Sequence, residues 1–243
     1  GTDVDMLRAL AERLQHPIAQ HWDERINSFY VQNNFPSQEL EAELERVEGG
    51  FGATPQQHFH GLRSLLPQLK GLAILDNDGH QRQSQVNDAL QIIYWKRYEA
   101  ENYFITPELL RHYACEQYPT DDLFAQATQQ AIDEVLNTLV LERVFDNNQA
   151  DFDAWAQSNN EVARVLWVAK TERLKLSAFA EEFFRRLAAR MGGQMLLRKG
   201  ELHRLVAYVS PASIAREVNE KLDLLAKLFS AAVPDELADN GKI

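Results

Sequence analysis

Met6, Leu7, Leu10, Ala11 and Leu14 recur at three- and four-residue spacing, a pattern that predicts an amphipathic helix over 2–14. Thr2 and Asp5 open it as a capping-box-like pair. Ser28-Phe29-Tyr30-Val31 reads as a short strand, and Ser37 caps a charged helix over 38–47 that Gly49, Gly50 and Gly52 end. Residues 55–66 read as helical. Gly71-Leu72-Ala73-Ile74-Leu75 is an uninterrupted apolar run, expected of a strand buried on both faces, and it stops at Asp76-Asn77-Asp78-Gly79. Ile92-Ile93-Tyr94-Trp95 is the expected neighbouring strand.

Beyond Thr106-Pro107, a cap followed by proline, the apolar period becomes helical throughout. Ile132, Val135, Leu136, Leu139 and Val140 lie on one helix face, and a further helical stretch runs over 160–191 until Gly192-Gly193 breaks it. Gln194-Met195-Leu196-Leu197 reads as a returning strand that ends at Arg198-Lys199-Gly200, with a helix from Glu201. The last helix is expected at Ser210-Pro211, and 235–243 as a frayed tail. The fold class expected is α/β, a mostly parallel sheet flanked by helices with a helical C-terminal elaboration. The organisation expected is an α/β core over 1–105, a helical insertion or subdomain over 106–191, and a return to the core over 192–243.

Composition narrows the class of protein. With 243 residues, 45% hydrophobic and 25% charged, the chain can bury a core without disulfides or metals as staples. No apolar run approaches the roughly 20 residues a membrane helix needs. The single cysteine, Cys115, excludes an intrachain disulfide and a cysteine-rich zinc site, so a soluble cytoplasmic protein is expected. Gly1-Thr2-Asp3-Val4-Asp5 has neither the basic start nor the apolar stretch of a signal peptide, and reads as cut from a longer polypeptide.

The net charge of -11 argues against wholesale electrostatic binding of nucleic acid or an anionic membrane, yet the charge is uneven. Residues 1–163 carry a net -15, residues 164–204 a net +6 and residues 205–243 a net -2. The basic segment holds Arg164, Lys170, Arg173, Lys175, Arg185, Arg186, Arg190, Arg198, Lys199 and Arg204. These are either phosphate contacts or a solvated helix face; Arg185, Arg186, Arg190 and Arg198 are the nucleic-acid-binding candidates.

The pattern that carries chemistry is an apolar strand delivering two aspartates, Asp76 and Asp78, followed by glycine. On a persisting strand they share a side, and adjacent carboxylates repel unless a hard cation such as Mg²⁺ lies between them. The bland alternative is turn chemistry, which Asp-Asn-Asp-Gly also satisfies. Glu99 and Glu101 repeat the spacing if their segment is extended. Asp3 and Asp5 suit a helix start without any chemistry. His58-Phe59-His60 is read as helix surface, Cys115 as core, and Trp95, Tyr98 and Tyr103 as packing aromatics.

Taken in order, these motifs resemble the Toprim nuclease region of the OLD (overcoming lysogenization defect) family and related proteins, which join an ABC-type ATPase to a Toprim domain. Gly1-Thr2-Asp3 is similar to the end of the family's Glu-Gly-x-Thr-Asp motif, and Leu75-Asp76-Asn77-Asp78-Gly79 to its Asp-x-Asp motif. The segment from Trp95 to Tyr103 and Arg198-Lys199-Gly200-Glu201-Leu202 also resemble family segments. The resemblance implies a Toprim-like core and a Mg²⁺- or Mn²⁺-dependent endonuclease with one or two ions. Asp3, Asp76 and Asp78 are then metal ligands, with Glu99 or Glu101 as a further acid. Catalysis falls to Asp76, Asp78 and Lys199, the lysine stabilising charge on the scissile phosphate. DNA is the expected substrate, with RNA open, and phage defence the expected role. The ATPase partner is expected outside this chain, since no Gly-x-x-x-x-Gly-Lys-Ser/Thr loop occurs in it; a homo-oligomer is open. The family's first glutamate and the glycine after it are missing before Gly1, so a ligand and part of a first strand are expected upstream.

Two rival readings stand. One is a catalytically inactive Toprim-like module that docks on an ATPase partner. The other is an aspartate-nucleophile phosphatase using Asp76 and Asp78, from which the chain departs at His80.

Overall fold

The computed structural model describes residues 2–29, 54–78, 83–86, 89–118 and 125–230. The structure is α/β in class and mostly helical. Helix α1 (Thr2–Arg13) leads through a 3-10 turn (Pro17–His21) to the short α2 (Trp22–Arg25). Helix α3 (Pro55–Arg63) precedes strands β1 (Gly71–Leu75), β2 (Gln85–Val86) and β3 (Leu90–Tyr94). A 3-10 turn (Ala100–Tyr103) then enters the helical body: α4 (Pro107–Gln117), α5 (Ala125–Arg143), α6 (Gln149–Ala156), α7 (Asn160–Thr171) and α8 (Leu176–Met191). A long 3-10 segment (Lys199–Tyr208) and a short one (Pro211–Ser213) lead to α9 (Arg216–Ser230). No described helix is long and apolar enough to cross a membrane.

The strand order is β1-β3-β2, with β1 and β3 parallel from Gly71 opposite Leu90 to Leu75 opposite Tyr94, and β2 antiparallel to β3. The two expected strands are therefore neighbours. Strand β1 departs from expectation in its burial: Gly71 to Ile74 are half-buried and only Leu75 is buried. Among the described strands β1 pairs only with β3, so it is an edge, and an edge strand keeps part of each face open.

Local signals set the helix starts. Thr106 Oγ1 accepts from Leu109 N ahead of Pro107, and Thr54 forms a reciprocal capping box with Gln57 ahead of Pro55. Thr2 is already helical, the first residue of α1. Gly192, in the left-handed region at φ 68°, closes α8 where the glycine pair predicts a break.

Three expectations are corrected. The stretch 160–191 is two helices, because the chain breaks at 172–175. The carbonyls freed there are taken by a distant side chain: Asn102 Nδ2 donates to Thr171 O at 2.8 Å and Leu174 O at 3.0 Å. Residues 194–197 are not a strand; Leu197 is fully buried against the helical core, so this short apolar run packs without ladder bonds. From Ser210 the chain makes only a 3-10 turn, and the last helix begins at Arg216. Helix α6, capped by Asn148, is an addition to the expected elements. Ser28 and Phe29 have no regular structure. Tyr30 and Val31, the expected helix over 38–47 with its glycines, and the tail 235–243 lie outside the described residues.

A single large apolar cluster joins α1 (Met6, Leu10), the 95–110 segment, the helical body (Leu139, Phe183, Phe184) and the C-terminal part (Leu202, Leu205, Leu222). A smaller cluster of Phe59, Leu75, Leu90, Ile92 and Tyr94 holds α3 on the sheet. The C-terminal ends of β1 and β3 emerge between them.

Candidate active site

The parallel ladder carries two acid-bearing loops out of the sheet side by side. Trp95 N donates to Leu75 O, which extends the pairing by one step. Asn77 N and Asp78 N then both donate to Tyr98 O, and Asn77 Nδ2 donates to Lys96 O. The strand therefore does not persist through the aspartates. Asp78 stands in the left-handed region at φ 48°, and the alternation expected to align Asp76 with Asp78 is replaced by a turn. Glu99 is extended and Glu101 lies in the 3-10 turn that follows, so their expected shared strand face is likewise absent. Both are nevertheless buried, at 2% and 5% exposure, in a protein whose other buried side chains are nearly all apolar.

The five nominated acids form one electrostatic group. Asp76 is pushed up to about 7, chiefly by burial and then by the charges of Asp3, Glu99 and Asp78. Burial together with Glu99, Asp3 and Asp76 pushes Glu101 up to about 8. Glu99 is raised by burial in spite of two hydrogen bonds: Ser177 N donates to Oε1 at 2.5 Å and Ser177 Oγ to Oε2 at 3.0 Å. These bonds place the Glu99 carboxylate on the first turn of α8, where it satisfies a helix amide from outside the helix. Among the described residues, no three His, Cys, Asp or Glu side chains are arranged as a metal-binding group.

Two cations face the acids. Lys199, nominated from sequence, acts on Glu99. Lys175, which belongs to no recognised motif, acts on Glu99, Asp78 and Asp76; burial opposes its charge, but the acids outweigh that and hold its ammonium above the ordinary value. Its Nζ lies 5.9 Å from the centre of the Tyr98 ring. Lys175 and Ser177 are site residues that the sequence pattern does not reveal. For Lys175 the only visible signal is membership of the basic segment, because the break that sets both residues beside Glu99 is held by Asn102.

A brace from α9 fixes the second acid loop. Glu217 accepts from the Tyr103 hydroxyl and from Lys96 N, and Lys221 Nζ donates to Tyr94 O at 2.6 Å. Trp95 and Tyr103 are buried within this brace and serve as packing. Cys115 is half-buried in α4, and burial pushes its thiol up, away from nucleophilic character. His58 is half-buried and His60 exposed on α3, with no metal group around either among the described residues.

Three of the four nominated arginines are occupied elsewhere. Arg185 pairs with Glu182, Arg186 with Glu182 and Glu142, and Arg190 with Glu134, all on the α5/α8 side of the body. Arg198 makes no ion pair among the described residues and adjoins Lys199. Beside β1, a cavity of about 550 Å³ runs from Asp3 and Asp76 to Phe59 and Leu62.

Compared with known proteins, the chain matches no family model, no curated protein and no solved structure. Its functional reading therefore rests on the residues themselves.

Proposed function

We propose that the chain is a divalent-metal-dependent nuclease that cleaves phosphodiester bonds, with a Toprim-like arrangement of its acids and DNA as substrate. The observation that carries this reading is that acids from three separate segments act on the same two carboxyls: the charges of Asp3, Glu99 and Asp78 raise Asp76, and those of Glu99, Asp3 and Asp76 raise Glu101. Such a group is costly to hold unless a cation or protons compensate it. Asn77 Oδ1, between the two aspartates, is buried with no hydrogen-bond partner, a further oxygen short of positive charge. The donor set is all oxygen, which fits Mg²⁺ or Mn²⁺ in its chemistry.

Asp3, Asp76, Asp78 and Glu101 would hold the cation, and Glu99 would serve chiefly to anchor α8. A bound Mg²⁺ or Mn²⁺ supplies Lewis acidity and lowers the pKa of bound water. The chain supplies the rest. Lys175 and Lys199 set positive charge where a phosphate would gain negative charge, and the Asp76 carboxyl, which burial and its acidic neighbours push up to about 7, would give up its proton to hold the cation. An ATPase partner outside this chain and a role in phage defence extend the reading by resemblance alone.

One observation favours a second reading, a non-catalytic module: the described acids are not arranged as a metal-binding group. Calorimetry with Mn²⁺ and a plasmid-cleavage assay separate the two. Asp76→Asn and Asp78→Asn are each expected to lower cleavage roughly 10²-fold or more and to weaken Mn²⁺ binding, with the fold retained. Wild-type protein that neither binds Mn²⁺ nor cuts selects the module, and normal cleavage by both variants removes these aspartates from the site.

A further inference from the structure

The basic segment is sorted by its ion pairs. Lys170 is bound to Asp151, Arg204 to Glu201, and Arg185, Arg186 and Arg190 to glutamates of α5 and α8. Arg164, on α7, is exposed with no ion pair among the described residues; so are Arg173, Lys175, Arg198 and Lys199, and this last group holds the two cations that act on the acids. They come from two segments well apart in sequence, the 172–175 break and the start of the 3-10 segment Lys199–Tyr208. Both segments converge on the acids, for Lys175 and Lys199 each act on Glu99. The break is tied directly to the acid loop, since Tyr98 N donates to Glu172 O.

An ion-paired arginine must give up its carboxylate before it can neutralise a phosphate, whereas an exposed unpaired one loses only water and counterions. We infer that the nucleic-acid backbone is gripped by the rim formed by Arg173, Lys175, Arg198 and Lys199, and not by the Arg185, Arg186 and Arg190 face of α8. The inference deepens the nuclease reading and rests on it for the identity of the polyanion. The rim is also what admits a phosphodiester to an acid group that would otherwise repel it. Arg173 and Arg198 flank the two lysines and belong to binding, so they can be changed without removing the charges nearest Asp76.

Fluorescence anisotropy with a fluorescein-labelled DNA duplex tests this, using Ca²⁺ in place of Mg²⁺ to hold off cleavage while salt is titrated. Arg173→Ala combined with Arg198→Ala is expected to weaken binding roughly tenfold or more and to reduce the slope of log K against log salt by about two, one for each phosphate no longer neutralised. Changing Arg185, Arg186 and Arg190 together to alanine is expected to leave the slope unaltered. An unchanged slope in the double variant, or a reduced slope in the triple variant, overturns the inference. Failure of the nuclease reading shows separately: binding that follows the predicted slopes but yields no product with Mg²⁺ or Mn²⁺ retains the rim and rejects catalysis. Wild-type protein that does not bind the duplex overturns the rim.

Discussion

The helical body and the acid loops solve the problem of buried polarity in opposite ways. In the body, α4, α6 and α7 each start on a cap supplied by the adjoining residue, Thr106, Asn148 or Asn159, and the interior is Leu, Phe, Val and Trp. At the acid loops the interior contains Glu99, Glu101 and Asn102, and the start of α8 is satisfied by Glu99, 78 residues away in sequence. Local satisfaction gives a part that tolerates change at its edges. Distant satisfaction gives a part in which removing one group strands another, the usual property of sites kept for chemistry.

The largest effect expected from breaking this contrast lies on the body side. Phe183 is fully buried in α8 beside Phe184, so Phe183→Ala removes an aromatic side chain from a close-packed interior. A loss of roughly 3–5 kcal/mol is expected in urea unfolding, with no change in the pH dependence of stability. A loss below about 1 kcal/mol would mean that the body is loosely packed, and the contrast would fail at its simpler end.

The next effect lies on the acid side and has a definite sign. Asp76 and Glu101, at about 7 and about 8, bind protons more tightly folded than unfolded, where a carboxyl titrates near 4. Their contribution to stability is complete below the unfolded pKa and is lost as pH rises through 7 and 8. Without divalent cation, the melting temperature is expected to fall from pH 5 to pH 9, by roughly 2–4 °C for each kcal/mol lost. Asp76→Asn should flatten that fall, and Mn²⁺ at pH 8 should offset it in the wild type. A melting temperature that rises over the same window would reverse the sign and remove the acids from the buried group.

The same contrast governs how much can be read from the chain. Strand β1 is legible to the residue, because five apolar positions end at a polar turn, and the starts at Thr54 and Thr106 are legible because cap and proline adjoin. Asp3, Asp76, Asp78, Glu99 and Glu101 act on one another electrostatically, although not through the strand alternation that suggests them and not as a metal-binding group among the described residues. What cannot be read is whatever depends on a distant partner. The break at 172–175 needs Asn102 to take its carbonyls, so Lys175 and Ser177 read as part of a continuous helix. Arg186 has one partner that local spacing does show, Glu182 one turn earlier, but its second, Glu142 on another helix, is invisible to local charge counting. Residues 194–197 fail for a different reason: the three apolar residues after Gln194 pack equally well with or without a ladder, and periodicity cannot choose between them.

The smallest and sharpest comparison sets one cap against another. Thr106→Ala removes a neutral cap whose only duty is Leu109 N, so about 1 kcal/mol is expected, without dependence on pH. Ser177→Ala removes a hydroxyl donor from Glu99 Oε2 but leaves the backbone donor on Oε1 in place. In neutral solution its cost is expected to be somewhat greater, roughly 1.5–3 kcal/mol, because the partner is a buried carboxylate. The decisive readout is the pH profile. Losing that donor raises Glu99 further, so the Ser177→Ala deficit should shrink as pH falls and Glu99 takes up a proton, while the Thr106→Ala deficit stays level. Unfolding curves for both variants at pH 5 and pH 8 measure this directly. Parallel deficits at the two values would mean that Glu99 acts as an ordinary helix cap and that its proton is independent of Ser177.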